Sequence, residues 1–91
     1  MNYILVIGRV LREPVYKPIG GRYVMNIQVE SLDGLKSEIH DVSMFMDYHM
    51  KMKPNDMISV EGKIRTMAYE DASGNKVCKT GITAEKIEVI K

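Results

Sequence analysis

The chain has 91 residues, 45% of them hydrophobic, and a formal net charge of +1 from 13 Lys and Arg against 12 Asp and Glu. That describes one domain, 1–91, with a modest core: too apolar to be disordered, and too neutral for overall charge to drive nucleic-acid binding, which would need local segregation of charge. The lone Cys78 excludes an intramolecular disulfide framework and fits a reducing cytoplasm, and no apolar run approaches the roughly 18 residues of a membrane helix.

Tyr3–Leu11 is rich in Ile, Val and Leu and reads as a first strand, with Gly8 marking a bulge or bend; it shows no basic region or cleavage site of a signal peptide. Arg12-Glu13-Pro14 ends it, and Pro18-Ile19-Gly20-Gly21 is a turn cluster. Arg22–Ser31 alternates, with Tyr23, Met25, Ile27 and Val29 on one face and Asn26, Gln28 and Glu30 on the other. Leu32–Ser37, with Asp33-Gly34 and Lys36, reads as a loop. Glu38–Phe45 is a third strand that sends Ile39, Asp41, Ser43 and Phe45 one way and His40, Val42 and Met44 the other.

Met46–Lys53 is rich in Met and has no β-branched residue, which predicts a helix of about two turns, capped by Asp47 and stopped by Pro54-Asn55-Asp56. Met57–Tyr69 is a fourth strand, bent at Gly62. Its even positions, Ile58, Val60, Gly62 and Ile64, form a core face; its odd positions, Ser59, Glu61, Lys63, Arg65, Met67 and Tyr69, form a polar, mainly basic face ending in a ring. Asp71–Asn75 is a hairpin loop, and Lys76–Ile90 is a fifth strand, broken near Gly81, with Ile82, Ala84, Ile87, Val89 and Ile90 as core residues. Three strands, a short helix and two more strands is the element order of an all-β OB fold, a five-stranded Greek-key barrel with one short helix between strands three and four. An SH3-like barrel, the competing architecture, lacks that helix.

Several segments in order resemble the bacterial single-stranded DNA-binding protein family. They are Met1-Asn2-Tyr3-Ile4-Leu5-Val6-Ile7-Gly8-Arg9-Val10, Arg12-Glu13-Pro14, the Pro18, Gly20, Gly21, Val24, Asn26, Ile27 series, His40-Asp41-Val42, Val60-Glu61-Gly62-Lys63-Ile64-Arg65-Thr66, and Asp71 with Ser73-Gly74. Departures accompany the match. The chain has no Trp: Ile39 stands where the family has Trp before the His, and Tyr69 where a Trp follows the fourth strand, while Phe45 matches the family's Phe. The sequence stops at Lys91 without the linker and acidic tip that the family carries, which fits either a minimal accessory protein or a shortened chain.

Binding a single strand without sequence preference needs cations for phosphates and flat side chains for bases. Stacking candidates are Phe45, Tyr69 and Tyr23, with Ile39 offering contact but no π face; Phe45 is equally readable as core, and Tyr23, which shares a face with Met25 and Ile27, reads more as core than as a stacking ring. Phosphate candidates are Arg9, Lys36, Lys63, Arg65 and Lys79, with Arg12, Lys17, Arg22 and Lys76 behind them. Cys78 has no activating motif and reads as a small hydrophobe or inert thiol, and His40 and His49 lack a second ligand at metal spacing. The expectation is a cytoplasmic, nucleoid-associated, non-enzymatic protein that coats single-stranded DNA in replication, recombination or repair. It would need no cofactor, metal, small-molecule substrate or membrane. The resemblance implies a homo-oligomer, a tetramer or else a dimer, joined through the first strand. Alternatives are a role like that of primosomal replication protein N or a phage or plasmid accessory protein, and an OB-fold assembly module that binds no nucleic acid.

Overall fold

The computed structural model describes residues 2–33 and 35–90, except the side chains of Leu32, Asp33 and Met67. Gly34 of the expected loop and the Met67 side chain of the expected basic face thus lie outside the described residues. The strands are β1 (Ile4–Val10), β2 (Val15–Ile19), β3 (Arg22–Asp33), β4 (Lys36–Met46), β5 (Met57–Glu70) and β6 (Lys76–Ile90). They form one sheet in the order β1-β5-β6-β4-β3-β2. β1 also pairs with β3 through Arg9↔Glu30 and Val10↔Val29, so β1, β5, β6, β4 and β3 close into a five-stranded barrel. β2 is an additional edge strand: the Pro18–Gly21 cluster is the end of a hairpin in which Ile19 pairs with Arg22. The chain is all-β in the barrel architecture that the element order implies.

The core follows the alternation. Val6, Val10, Met25, Ile27, Val29, Val42, Ile58, Val60, Ile82, Ala84 and Ile87 are buried inside. Two close approaches need glycine. A Cβ on Gly8 would run into the Glu30 carbonyl where β1 crosses β3, and one on Gly62 would run into the Thr83 carbonyl and come within 2.8 Å of the Ala84 Cα. Gly62 sits beside a bulge: Glu61 pairs with Lys86 and Gly62 with Ala84, which leaves Glu85 extra. That one residue reverses the inward parity of β6, from Ile82 and Ala84 to Ile87 and half-buried Val89. It also explains two corrections: β6 is continuous at Gly81, with its irregularity at Glu85, and Ile90 falls on the exposed side. Ile64 is not core either, being 42% exposed, because the pairing of β5 with β1 ends at Gly62 and leaves Ile64 at the rim.

The expected helix is absent. After Met46 the chain runs in irregular turns to Asp56. Tertiary contacts outweigh local propensity here. Met52 is buried in the core and Met50 packs against it. The Tyr16 hydroxyl donates to the Met50 carbonyl at 2.8 Å, and burial pushes this phenol above its ordinary pKa. His49 stacks on Tyr16 with centroids 4.0 Å apart and meets Tyr23 edge-on. Asn55, with φ of 76°, donates its N–H to the Val10 carbonyl. The expected loop at 32–37 is also mostly strand, since Asp33 pairs with Lys36.

Candidate nucleic-acid interface

The barrel's outer face is built by register. β4 sends Ile39, Asp41, Ser43 and Phe45 outward, since the intervening Val42 and Met46 are buried. Across β3 these meet Glu30, Gln28, Asn26 and Val24. Ser43 pairs with Thr83 of β6, and Thr83, Gly81, Lys79 and Val77 pair with Lys63, Arg65, Met67 and Tyr69 of β5. Six of the sequence-predicted residues, Ile39, Phe45, Lys63, Arg65, Tyr69 and Lys79, therefore belong to one continuous outward series. Phe45 is 56% exposed, Tyr69 51% and Ile39 60%, so none of the three serves the core.

Beyond Ile64 in β5 and before Ile82 in β6, the two strands leave the barrel as an exposed two-stranded ribbon closed by the Asp71–Asn75 turn. The Asp71 carboxylate accepts from the Ser73 and Asn75 N–H groups and fixes that turn. Between the ribbon base and β2–β3 lies a groove of about 470 Å³, lined among others by Arg12, Lys17, Gln28, Asp41, Arg65 and Lys79. Four cations thus face two carboxylates, Asp41 and Glu13, in a chain that is nearly neutral overall. Lys79 Nζ stands 3.5 Å from Asp41 Oδ2, and Lys63 Nζ stands 3.8 Å from Glu85 Oε1. Arg65 makes no ion pair with the described residues.

Two predicted residues stand apart. Arg9 lies on the β1–β3 seam, where its guanidinium donates to Glu30 Oε1 at 2.7 Å and Asn55 Oδ1 at 2.6 Å. It ties the 47–56 segment to the barrel. Lys36 opens β4 at the hairpin tip opposite Asp33, on the alternate parity from Ile39. Among the secondary candidates, Arg12 and Lys17 line the groove, whereas Arg22 is paired with Asp47 at 2.7 Å. Sequence reasoning missed Gln28 and Asp41 as groove residues. Both show in the alternation of their strands, but only pairing register brings them together.

Cys78 is exposed on the ribbon, not packed as a small hydrophobe. No group of His, Cys, Asp or Glu among the described residues could hold a metal, and no described helix is long and apolar enough to cross a membrane. The arrangement can hold an extended polyanion along cations and offer rings to flat groups.

No curated protein is significantly similar in sequence. Among solved structures, Plasmodium falciparum SSB in complex with ssDNA superposes with a TM-score of 0.85 at 18% identity, covering 100% of this chain and 96% of that one. The mitochondrial single-stranded DNA-binding protein of S. cerevisiae superposes with a TM-score of 0.77 at 12% identity, covering 98% and 94%. These likenesses show the fold. The model of the single-strand binding protein family matches residues 1–90, and the chain belongs to that family.

Proposed function

We propose that this protein binds single-stranded DNA without strong sequence preference and coats exposed strands in replication, recombination or repair. The observation that carries the reading is the outward face joining Phe45, Arg65, Tyr69 and Lys79 across three strands, in a chain of the single-strand binding protein family. Cations along the groove displace condensed counterions from the phosphates, and the two rings replace base–base stacking. The action is binding, with no catalytic step. Of the expected contacts, Arg9 and Lys36 contribute least to this path, the first because it is tied to Glu30 and Asn55, the second because of its place at the hairpin tip.

A single small barrel with few aromatics holds a strand weakly, so assembly is part of the proposal. Leu5 and Ile7 on β1, with Met57 and Ile90 in the neighbouring strands, form an exposed apolar face. Over residues 4–8, β1 pairs only with β5 among the described residues, which leaves its other edge open. Self-association through this face gives a homotetramer, with a dimer as the alternative assembly. The setting is cytoplasmic and nucleoid-associated.

Fluorescence anisotropy with labelled oligo-dT at low and high salt tests the reading. Affinity is expected to fall with salt by roughly 0.7 log unit per log unit of salt for each phosphate contact. Absence of salt-dependent binding at micromolar protein would leave the assembly-module reading in its place.

A further inference from the structure

We infer that Asp41 makes the floor of the groove a base-edge subsite that takes nucleobases bearing an exocyclic amine and disfavours uracil and thymine. The inference rests on the single-strand reading above and adds a base preference to it.

Asp41 lies where the face passes from β3 to β6. Gln28 Nε2 donates to its Oδ1 at 3.2 Å, and Lys79 Nζ stands 3.5 Å from its Oδ2. These two partners hold the carboxylate from either side. The side chain is still 45% exposed, so lone pairs remain open toward the groove. Beside it, Gly81 has no side chain, and a Cβ there would come within 3.2 Å of the Asp41 carbonyl oxygen. A side chain at position 81 would thus crowd the β4 backbone at Asp41, and both residues line the groove.

An ionised carboxylate accepts hydrogen bonds and donates none. A phosphate over Asp41 is repelled, while Arg12, Lys17 and Arg65 in the same groove offer phosphates better places. The part of a nucleotide that fits over Asp41 is a base edge with N–H groups. Cytosine offers its N4 amine, adenine N6, and guanine N1 and N2. Uracil and thymine offer a single N3–H flanked by two carbonyl oxygens, which the carboxylate repels. Gln28 Oε1 stays available as a second acceptor, since the hydrogen bond to Asp41 uses only the amide nitrogen. One half-exposed acceptor belongs at the low end of side-chain-to-base discrimination, about fivefold in affinity.

The test compares labelled oligo-dC and oligo-dU of equal length at one ionic strength, because these differ only along the edge in question. The parent protein is expected to bind oligo-dC about fivefold more tightly, and Asp41→Asn, which adds a donor for uracil O4, to bring the two within about twofold. Equal binding of both oligomers by the parent overturns the inference without any variant. A parental preference that persists in Asp41→Asn and Asp41→Ser also overturns it. In that case, uniformly tighter binding by both variants would make Asp41 only a counter-charge to Lys79. Failure of the parent to bind either oligomer would instead remove the single-strand reading itself, and this subsite with it.

Discussion

Replacing Arg65 by Ala isolates one phosphate contact. Arg65 faces the groove from the base of the ribbon, is exposed, and has no ion-pair partner among the described residues. Lys63 and Lys79, on the same face, stand 3.8 and 3.5 Å from carboxylates. A phosphate reaching Arg65 gains the whole of the counterion release, while one reaching either lysine first has to compete with Glu85 or Asp41. Releasing about 0.7 counterion per phosphate at roughly 0.1 M salt is worth about 0.7 log unit, or about fivefold, close to 1 kcal/mol. Arg65→Ala should therefore weaken oligo-dT binding about fivefold near that salt concentration and lower the salt slope by about 0.7. Between roughly 50 and 200 mM salt its deficit should shrink by about 2.6-fold. Lys63→Ala and Lys79→Ala should each cost less. Anisotropy titrations of the parent and the three variants across salt give both quantities. An unchanged slope in Arg65→Ala, or equal losses in all three, would refute the assignment of free and occupied cations.

Phe45→Ala and Tyr69→Ala should each lose the stacking of one base, about 1–3 kcal/mol, and Tyr69→Ala should also abolish any quenching of tyrosine emission on binding; parental affinity in both would show that bases lie elsewhere. Gly62→Val forces a side chain onto the Thr83 carbonyl and Ala84 backbone, neither of which can rotate away, so a loss of at least about 1–3 kcal/mol is expected in urea unfolding. An unchanged midpoint would mean that the bulge at Glu85 relaxes freely. Leu5→Glu with Ile7→Glu places charge on the exposed β1 face without touching the core, so light scattering should report a smaller species with native circular dichroism; an unchanged mass would move the interface to another face.

Five of the six strands and most of the core were legible in the sequence because alternation is a local signal; β2, short and containing Pro18, was not. Met25, Ile27, Val29, Val42, Ile58 and Val60 all fall where parity puts them. The errors have one character: tertiary context decided what local pattern could not. The Met46–Lys53 segment has helical propensity, yet the buried Met52 and the bond from Tyr16 to Met50 hold it irregular. That helix was also the feature meant to separate the fold from an SH3-like barrel, so the assignment stands on strand order, closure of β1 on β3, and the family match. Ile90 falls on the exposed side because the extra residue Glu85, across from Gly62 on the neighbouring strand, reverses parity within β6, and nothing in the local pattern of β6 marks it. At the candidate site, charge and aromaticity were visible residue by residue. Which charges are already spent was not, because Lys79 meets Asp41 across β6 and β4, and Arg9 meets Glu30 across β1 and β3.

The ribbon beyond Ile64 has a thermodynamic consequence. Nearly all its described side chains are exposed, and its strands hold each other by ladder bonds and light contacts such as Thr66 to Thr80 at 3.3 Å. With no apolar burial to break, its amides open at far less cost than those of Ile58 or Val60, and they should exchange with solvent well ahead of the barrel's. A strand of DNA lying on Arg65 and Tyr69 must stiffen that arm, and part of the contact energy goes into lost motion. The arm can in return tilt to follow a chain whose own path varies with its sequence. Hydrogen exchange would then report binding as protection gained along 65–80 and almost none gained inside the barrel.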